Sequence, residues 1–277
     1  MDHFLPNVLD PAGYPFWLLV TSLFVMVCER LRPWRRDQKV LRPQFGQDLI
    51  WLIFNGHTAG VLLAAATSRL LSWAAPGFER LEAIRFVAEQ PLWLQFVVFF
   101  LLKDILEWGV HNLLHRVPWL WAFHKVHHSI RDLDWIGSFR FHWMEIVVYR
   151  SLTYVPLVVL GVDGRVILTI AVVATLIGHL NHSNLNLTWG PLKYVLNSPR
   201  MHVWHHMSDL PPGRPSGLNF GISLSLWDWL FGTAWWPSPE ENPRQQPDGL
   251  GFPNLEGYPS SFLDRVSYPL SKLWRRS

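Results

Sequence analysis

Residues 111–128 read HNLLHRVPWLWAFHKVHH, and a second histidine-rich stretch, HVWHH, follows at residues 202–206. Eleven of the thirteen histidines in the chain lie between His111 and His206. Neutral imidazole is a common protein ligand for iron, zinc, copper and nickel. Because neither stretch alone completes a coordination sphere, we expect the chain to fold so that the stretches meet around metal ions.

The spacing of these histidines suits helices. Residues at i and i+4, or at i, i+3 and i+4, share one face of a helix, so each stretch is expected to present its imidazoles to one side. The pair in HNLLH and the triplets in HKVHH and HVWHH together supply eight nitrogen ligands. Eight are enough for two metal ions, with positions left open for oxygen or substrate. The predicted ligands, which are also the predicted catalytic residues, are His111, His115, His124, His127, His128, His202, His205 and His206.

Three further histidines are candidates for an additional metal ligand. His182 lies at the predicted end of its helix and is the better placed additional metal ligand. His179, one turn earlier, is predicted to be either a ligand or a core residue with hydrogen-bonded partners. His142 is predicted to be either a further ligand or part of a charged network with Arg140 and Glu145 beside the site, with Glu145 orienting the imidazole of His142.

Two carboxylates precede the first histidines on the same helical stripe. Asp104 and Glu107 lie seven and four residues before His111. An acidic residue behind a ligating imidazole fixes its tautomer, so either is a candidate support for a ligand or, less often, a ligand itself. The alternative is that Asp104 pairs with Lys103 or Arg116 at the membrane interface.

The composition indicates a membrane protein. Of the 277 residues, 49% are hydrophobic and only 16% are charged. The net charge is +3, and the basic residues form short runs beside apolar segments, which makes nucleic acid an unexpected partner. A single cysteine, Cys28, excludes an internal disulfide and Cys/His zinc fingers. The N-terminus lacks a basic segment before its apolar run, so we expect an uncleaved anchor.

Five apolar runs predict an all-α, polytopic membrane helical bundle of about four to five membrane segments. They span about residues 14–31, 49–73, 91–115, 146–160 and 166–182, and GVDGR joins the last two as a tight hairpin. The arginine-rich stretch at 32–42 is expected to be cytoplasmic. Following the runs from there places every histidine stretch on the cytoplasmic side, as a histidine-rich helical cap.

Three regions follow from this pattern. Residues 1–90 are predicted to be membrane anchor helices, residues 91–236 the histidine-bearing catalytic domain, and residues 237–277 a tail rich in proline and glycine. The start of the tail is expected to form an ordered loop or a covering flap. Its last segment is expected to be an interfacial helix broken at Pro269, with a frayed soluble tail as the alternative.

The ordered motifs between Asp104 and Thr233 resemble those of the fatty acid hydroxylase and sterol desaturase superfamily. They are HNLLH, LWAFHKVHHS, FRFHWME, HLNHSN, NSPRMHVWHH and NFGISLSLWDWLFGT. The resemblance implies that the eight histidines above bind metal, with His182 as an addition. It also implies that Asn219 and Asp228, in the closing motif, support the site.

The same resemblance implies an integral-membrane enzyme with two non-haem iron ions and O2 as co-substrate. Its implied substrate is a membrane lipid such as a fatty acyl chain or a sterol, which it would hydroxylate or desaturate. No dinucleotide fingerprint, haem-attachment motif or iron–sulfur cysteine pattern occurs in the sequence. Electrons would therefore come from an external donor, a ferredoxin or a cytochrome with its reductase.

Three other interpretations account for part of the same pattern. The main alternative is a histidine-rich membrane metalloprotein in which zinc has a hydrolytic or structural role, although HExxH is absent and catalytic zinc usually takes three protein ligands. A bis-histidine haem protein would place its histidines opposite each other within spans. A metal-dependent scaffold or sensor without catalysis is compatible with the same motifs.

Overall fold

The computed structural model describes residues 9–55, 69, 86–242 and 246–274. Throughout these residues the chain is built from α-helices and short 3-10 turns, with isolated β-bridges only, which confirms the all-α fold class. The α-helices are α1 Tyr14–Leu31, α2 Phe45–Ile53, α3 Leu92–Arg116, α4 Pro118–His128, α5 Trp143–Val159, α6 Gly164–His182, α7 Pro199–His205, α8 Leu226–Leu230 and α9 Phe262–Trp274.

The two short helices that carry histidine triplets, α4 and α7, begin in the same way. Each has a proline in its first turn, where the missing N–H costs no intrahelical hydrogen bond. In α7 the Ser198 hydroxyl also accepts a hydrogen bond from the backbone N–H of Met201, at 3.2 Å. These signals start α4 at Pro118 and α7 at Pro199, so that the triplets fall at their C-terminal ends.

Two helices in the described part of the chain, α1 and α6, are long and apolar enough to cross a membrane. That is fewer than the four to five segments expected. Helix α3 is longer, with 25 residues, but carries Lys103, Asp104 and Glu107 in and just after its middle. Helix α5 has 17 residues and contains Pro156. Most of the predicted second span, residues 49–73, lies outside the described residues. Its first part forms the end of α2.

The outward faces of α1 and α3 are apolar. Leu23 and Phe24 on α1 are 47% and 55% exposed, and Trp93 and Val98 on α3 are 68% and 48% exposed. A helix from the core of a soluble protein would bury such side chains, whereas a membrane helix directs them to lipid. The surface of the bundle therefore agrees with the predicted membrane location.

The packing of the bundle brings the histidines to one end. One cluster of buried apolar residues joins α3, α5 and α6, with Phe99, Leu157 and Ile170 as members. A second cluster, which includes Val25 and Trp51, joins α1 and α2 to the 3-10 turn Trp135–Phe139. Helices α3 and α6 both end in histidines, and α4 and α7 lie against those ends. The four helices thus surround one buried volume.

The C-terminal tail covers this end of the bundle. The backbone N–H of Gly251 donates to the carbonyl of His206 at 2.8 Å, and the Ser208 N–H donates to the Gly249 carbonyl at 3.0 Å. The expected break at Pro269 does not occur, because α9 runs through it. Proline removes one backbone N–H, and the preceding turns of α9 are held by the packing of Phe262 and Val266 against the second cluster.

Candidate metal centre

Nine histidines at the end of the bundle form two adjacent groups. Within each group the potential ligand nitrogens all lie within 4.8 Å of one another. We call them the five-histidine group, which consists of His111, His115, His124, His128 and His205, and the four-histidine group, which consists of His127, His182, His202 and His206. The groups touch where the rings of His128 and His206 stack, with centroids 4.5 Å apart.

Helix geometry explains how neighbouring histidines enter different groups. In α4, His124 and His128 at i and i+4 point into the five-histidine group, while His127 points into the other. In α7 the assignment is reversed, because the i and i+4 pair belongs to the four-histidine group and His205 crosses over. The rings within each triplet stay next to one another, with centroids no more than 5.6 Å apart, but they are divided between the two groups. Adjacent residues on a helix lie about 100° apart, so each triplet bridges both groups.

Hydrogen bonds at Nδ1 fix several of these rings. His111 Nδ1 donates to the Phe220 carbonyl at 2.7 Å, and His205 Nδ1 donates to the Leu218 carbonyl at 2.8 Å. The same contact recurs from His127 to the Arg140 carbonyl at 3.2 Å, from His182 to the Gly178 carbonyl at 2.8 Å, and from His124 to the Glu145 carboxylate at 2.5 Å. A ring that donates from Nδ1 keeps a lone pair on Nε2, which is the form that binds metal.

These lone pairs face each other at short range. The Nε2 atoms of His111 and His124 are 3.1 Å apart, and those of His127 and His182 are 3.2 Å apart. Because all four rings donate from Nδ1, no proton is available for a hydrogen bond between them. Two nitrogens about 2.1 Å from one ion, at right angles, lie roughly 3.0 Å apart. The donor set therefore fits a cation in each group.

The surroundings keep the imidazoles neutral. Every member of the two groups except His115 is buried. Burial lowers the pKa of the histidines on α4 and α7, and neighbouring imidazoles lower it further. A neutral ring binds metal without first losing a proton. The histidines with this lowered pKa are His124, His127, His128, His202, His205 and His206.

His179 lies outside both groups. Its Nδ1 donates to the Ser138 hydroxyl at 2.8 Å, because the single proton of that hydroxyl goes to the Trp135 carbonyl at 2.7 Å. Its Nε2 accepts from the Ser22 hydroxyl at 3.0 Å. Both ring nitrogens are thus used within the bundle, and the ligand role considered for His179 is not retained.

Comparison with known proteins agrees with this centre. The fatty acid hydroxylase family model matches residues 96–233, which hold all nine grouped histidines. The ornithine lipid hydroxylase OlsE of Rhizobium tropici is 28% identical over 260 residues, which are 93% of this chain and 76% of that protein. The chain belongs to the fatty acid hydroxylase and sterol desaturase superfamily.

Other members of the superfamily match over shorter parts of their length. Alkylglycerol monooxygenase of Xenopus tropicalis is 30% identical over 249 residues, 82% of this chain and 49% of that protein. Methylsterol monooxygenase 1-1 of Arabidopsis thaliana is 27% identical over 142 residues, 50% of this chain and 46% of that protein. The chain thus spans about half the length of these two relatives. No solved structure matches.

The closing motif, residues 219–233, holds the loop whose backbone contacts the predicted ligand His111. Asp228 accepts hydrogen bonds from the backbone N–H groups of Phe220 and Gly221, at 2.8 and 2.7 Å. The carbonyl of Phe220 is the partner of His111. Asn219 has φ of 53° and donates to the carbonyl of Met201 on α7 at 3.0 Å. Both residues therefore hold the loop that faces the histidines.

Asp104 and Glu107, which were expected to support a histidine ligand, have other partners. Asp104 accepts from the backbone N–H groups of Ser223 and Leu224, both at 3.1 Å, and so anchors the closing loop instead of an imidazole. Glu107 pairs with Lys103 at 2.6 Å. Neither acid contacts a histidine, because both lie nearer the apolar half of α3 than the grouped rings do.

Glu145 and His142 also differ from the expectation. Glu145 binds His124 instead of His142, because α5 begins beside α4 and turns this carboxylate toward the five-histidine group. His142 caps α5 by accepting from the Met144 N–H at 3.2 Å, and its Nε2 donates to the Val266 carbonyl at 2.9 Å. It therefore belongs to neither histidine group. Arg140 does not join them, because its side chain binds Asp48.

The sequence interpretation missed the partners supplied by main-chain carbonyls and by residues before α3. Every residue type has a main-chain carbonyl, so the sequence does not reveal which carbonyls bind the histidines. Asp48 did leave a signal, because a lone carboxylate in the apolar segment FGQDLIWLI requires a partner. Glu29, in α1, is similar, since its carboxylate accepts from the Asn184 N–H at 2.5 Å, two residues after His182.

Proposed function

We propose that this protein is an integral-membrane, non-haem di-iron oxidoreductase that hydroxylates, or desaturates, a C–H bond of a lipid. It would use O2 and electrons from an external donor. The two adjacent groups of facing imidazoles carry this proposal. The superfamily match and the relatives named hydroxylase and monooxygenase support an oxidoreductase that acts on lipids, as the sequence predicted.

Iron bound by the two groups would supply the activation of O2 and the oxidation of an unactivated C–H bond. The protein residues have separate tasks. Hydrogen bonds at Nδ1 hold five of the nine rings in the tautomer that offers Nε2. Burial of the histidines excludes bulk water from their nitrogens. Glu145 accepts the Nδ1 hydrogen bond of His124 and would balance part of the charge of an ion bound there.

The substrate is proposed to be a membrane lipid. The apolar outer faces of α1 and α3 border the same bundle that holds the histidines, so an acyl or sterol chain in the bilayer lies beside the site. The five-histidine group is least enclosed at His115, and the half-buried Trp121 packs there with its ring centroid 4.9 Å from that of His115. We place substrate entry on this side, with the centre facing the cytoplasm.

The electron donor is proposed to be a separate protein, a ferredoxin or a cytochrome with its reductase. The sequence contains no fingerprint for a bound redox cofactor of those classes. A donor that docks on the histidine-bearing end would reach the metal groups over the shortest distance. This proposal predicts that purified protein with O2 alone turns over no more lipid than its stored electrons allow.

Metal analysis of anaerobically purified protein tests the proposal first. We expect about two iron ions per chain. In cells that express the protein, lipids should then gain one oxygen or lose two hydrogens, and His127→Ala or His205→Ala should abolish that change while the protein stays in the membrane fraction. Zinc without iron under iron-replete conditions, or full activity in either variant, would contradict the proposal.

A further inference from the structure

Arg140 connects a predicted metal ligand to an acid in α2. Its backbone carbonyl accepts the hydrogen bond from His127 Nδ1 at 3.2 Å. Its side chain makes a two-pronged contact with the Asp48 carboxylate, from Nε at 2.5 Å and from Nη2 at 2.7 Å. Both side chains are completely buried. The position of Asp48 therefore determines where the main chain at residue 140 lies.

A second arginine completes this buried network. Arg42 Nη2 donates to Asp48 at 2.7 Å and to Asp134 at 2.5 Å, so two cations and two anions balance each other. Gln44 accepts from Arg140 Nη1 at 2.8 Å. A planar guanidinium that binds a carboxylate through two parallel hydrogen bonds has little freedom to rotate or shift. The network is thus a rigid support beneath the loop that precedes α5.

The support comes from outside the region shared with the superfamily model. Asp48 and Arg42 precede residue 96, where that match begins. Asp48 also lies in the first turn of α2, where the helix dipole favours a negative charge. The helix therefore stabilises the carboxylate in addition to the two arginines. The predicted membrane anchor therefore reaches into the metal centre.

We infer that Asp48 is a positioning residue of the metal centre, which acts through Arg140 to hold His127 in the four-histidine group. The inference rests on the proposed metal binding and not on the identity of the lipid or of the donor. It predicts that loss of the Asp48 carboxylate weakens one metal site and leaves the other unchanged, because no member of the five-histidine group contacts this network through Arg140.

Asp134 provides a matched control. It is buried to the same degree in the same network, but it pairs with Arg42 and not with Arg140. Asp134→Asn removes one buried anion while the contact between Asp48 and Arg140 remains. A role of the network in stability alone would affect both amide variants alike, whereas positioning of His127 singles out Asp48→Asn.

The experiment is a Co²⁺ titration of full-length, metal-stripped protein in detergent, followed by visible absorption. For the unmodified protein we expect two classes of site. In Asp48→Asn the affinity of one class should fall about 10–100-fold, as is typical when a partner of a metal-binding histidine is lost. In Asp134→Asn both classes should stay within about twofold of the unmodified protein. Equal losses in the two variants, or no loss in Asp48→Asn, would overturn the inference.

Arg140→Lys keeps the test decisive if Asp48→Asn does not fold. Lysine retains the charge and the carbonyl but cannot make the two-pronged contact, so it should reproduce the selective loss at one site. Normal affinity at both sites in this variant would overturn the inference as well. Two Co²⁺ sites without oxygen-dependent lipid products would contradict the proposed function while leaving the role of Asp48 in place.

Discussion

Two histidines one turn apart on α6 show how the surroundings decide the role of a residue. His182 has its Nε2 3.2 Å from those of His127 and His202. His179 has both nitrogens hydrogen-bonded to serine hydroxyls. Residue type and burial are the same at the two positions. Only the availability of a lone pair separates a potential ligand from a structural histidine.

Alanine at each position separates these roles. His182→Ala should lower the metal content from about two ions per chain to about one, because the four-histidine group keeps three nitrogens and loses its central contact. His179→Ala should keep both ions and lower stability by about 1–3 kcal/mol, since it leaves the buried Ser22 hydroxyl without its acceptor. Metal analysis and thermal unfolding of both variants check this. Metal loss in His179→Ala alone would contradict the assignment.

At the scale of elements, the closing loop before α8 depends on a glycine. A Cβ added at Gly221 would lie 2.2 Å from the Leu224 carbonyl oxygen and 2.8 Å from an Asp228 carboxylate oxygen. Neither atom is free to move, because the loop turns at Leu224 and Asp228 holds two backbone N–H groups. The loop keeps the Phe220 carbonyl against His111, so the glycine matters to the five-histidine group.

Gly221→Ala should therefore destabilise the protein by about 1–3 kcal/mol and release metal from the five-histidine group. Gly109→Ala, on α3 close to the same histidine, is the control, because a Cβ there meets no atom within 4 Å. It should be neutral or stabilising by up to about 1 kcal/mol. Thermal unfolding and metal content of the two variants check the difference. Equal behaviour of the two alanines would mean that the loop adjusts without cost.

The sequence predicted the helices better than it predicted how the histidines divide into two groups. Apolar runs predicted α1, α3, α5 and α6 closely, and the spacing of histidines predicted that they meet. The split of each triplet between two groups was not predictable. It depends on how α4 and α7 are rotated about their axes, which is set by packing and not by spacing. The partner of Glu145 depends equally on where α5 begins relative to α4.

At the scale of the whole molecule, contacts from both ends of the chain reach the histidine-bearing middle. Asp48 and Glu29 support it from the N-terminal side, and Val266 and Gly251 contact it from the C-terminal side. The predicted boundaries at residues 90 and 236 divide the sequence by composition. The histidine groups are therefore supported by contacts from outside the middle region.

Removal of residues 1–90 should accordingly abolish the centre. In the remaining chain, Arg140 would be a buried cation without its anion, which is strongly unfavourable, and Asn184 would lose the carboxylate that holds it near His182. We expect residues 91–277 to bind less than about one metal ion per chain, against about two for the full chain. Co-expression of residues 1–90 as a separate chain should restore part of the binding, because the missing contacts are non-covalent. Metal analysis of the three membrane preparations checks this, and a fragment that holds two ions unaided would show that the histidine region folds independently.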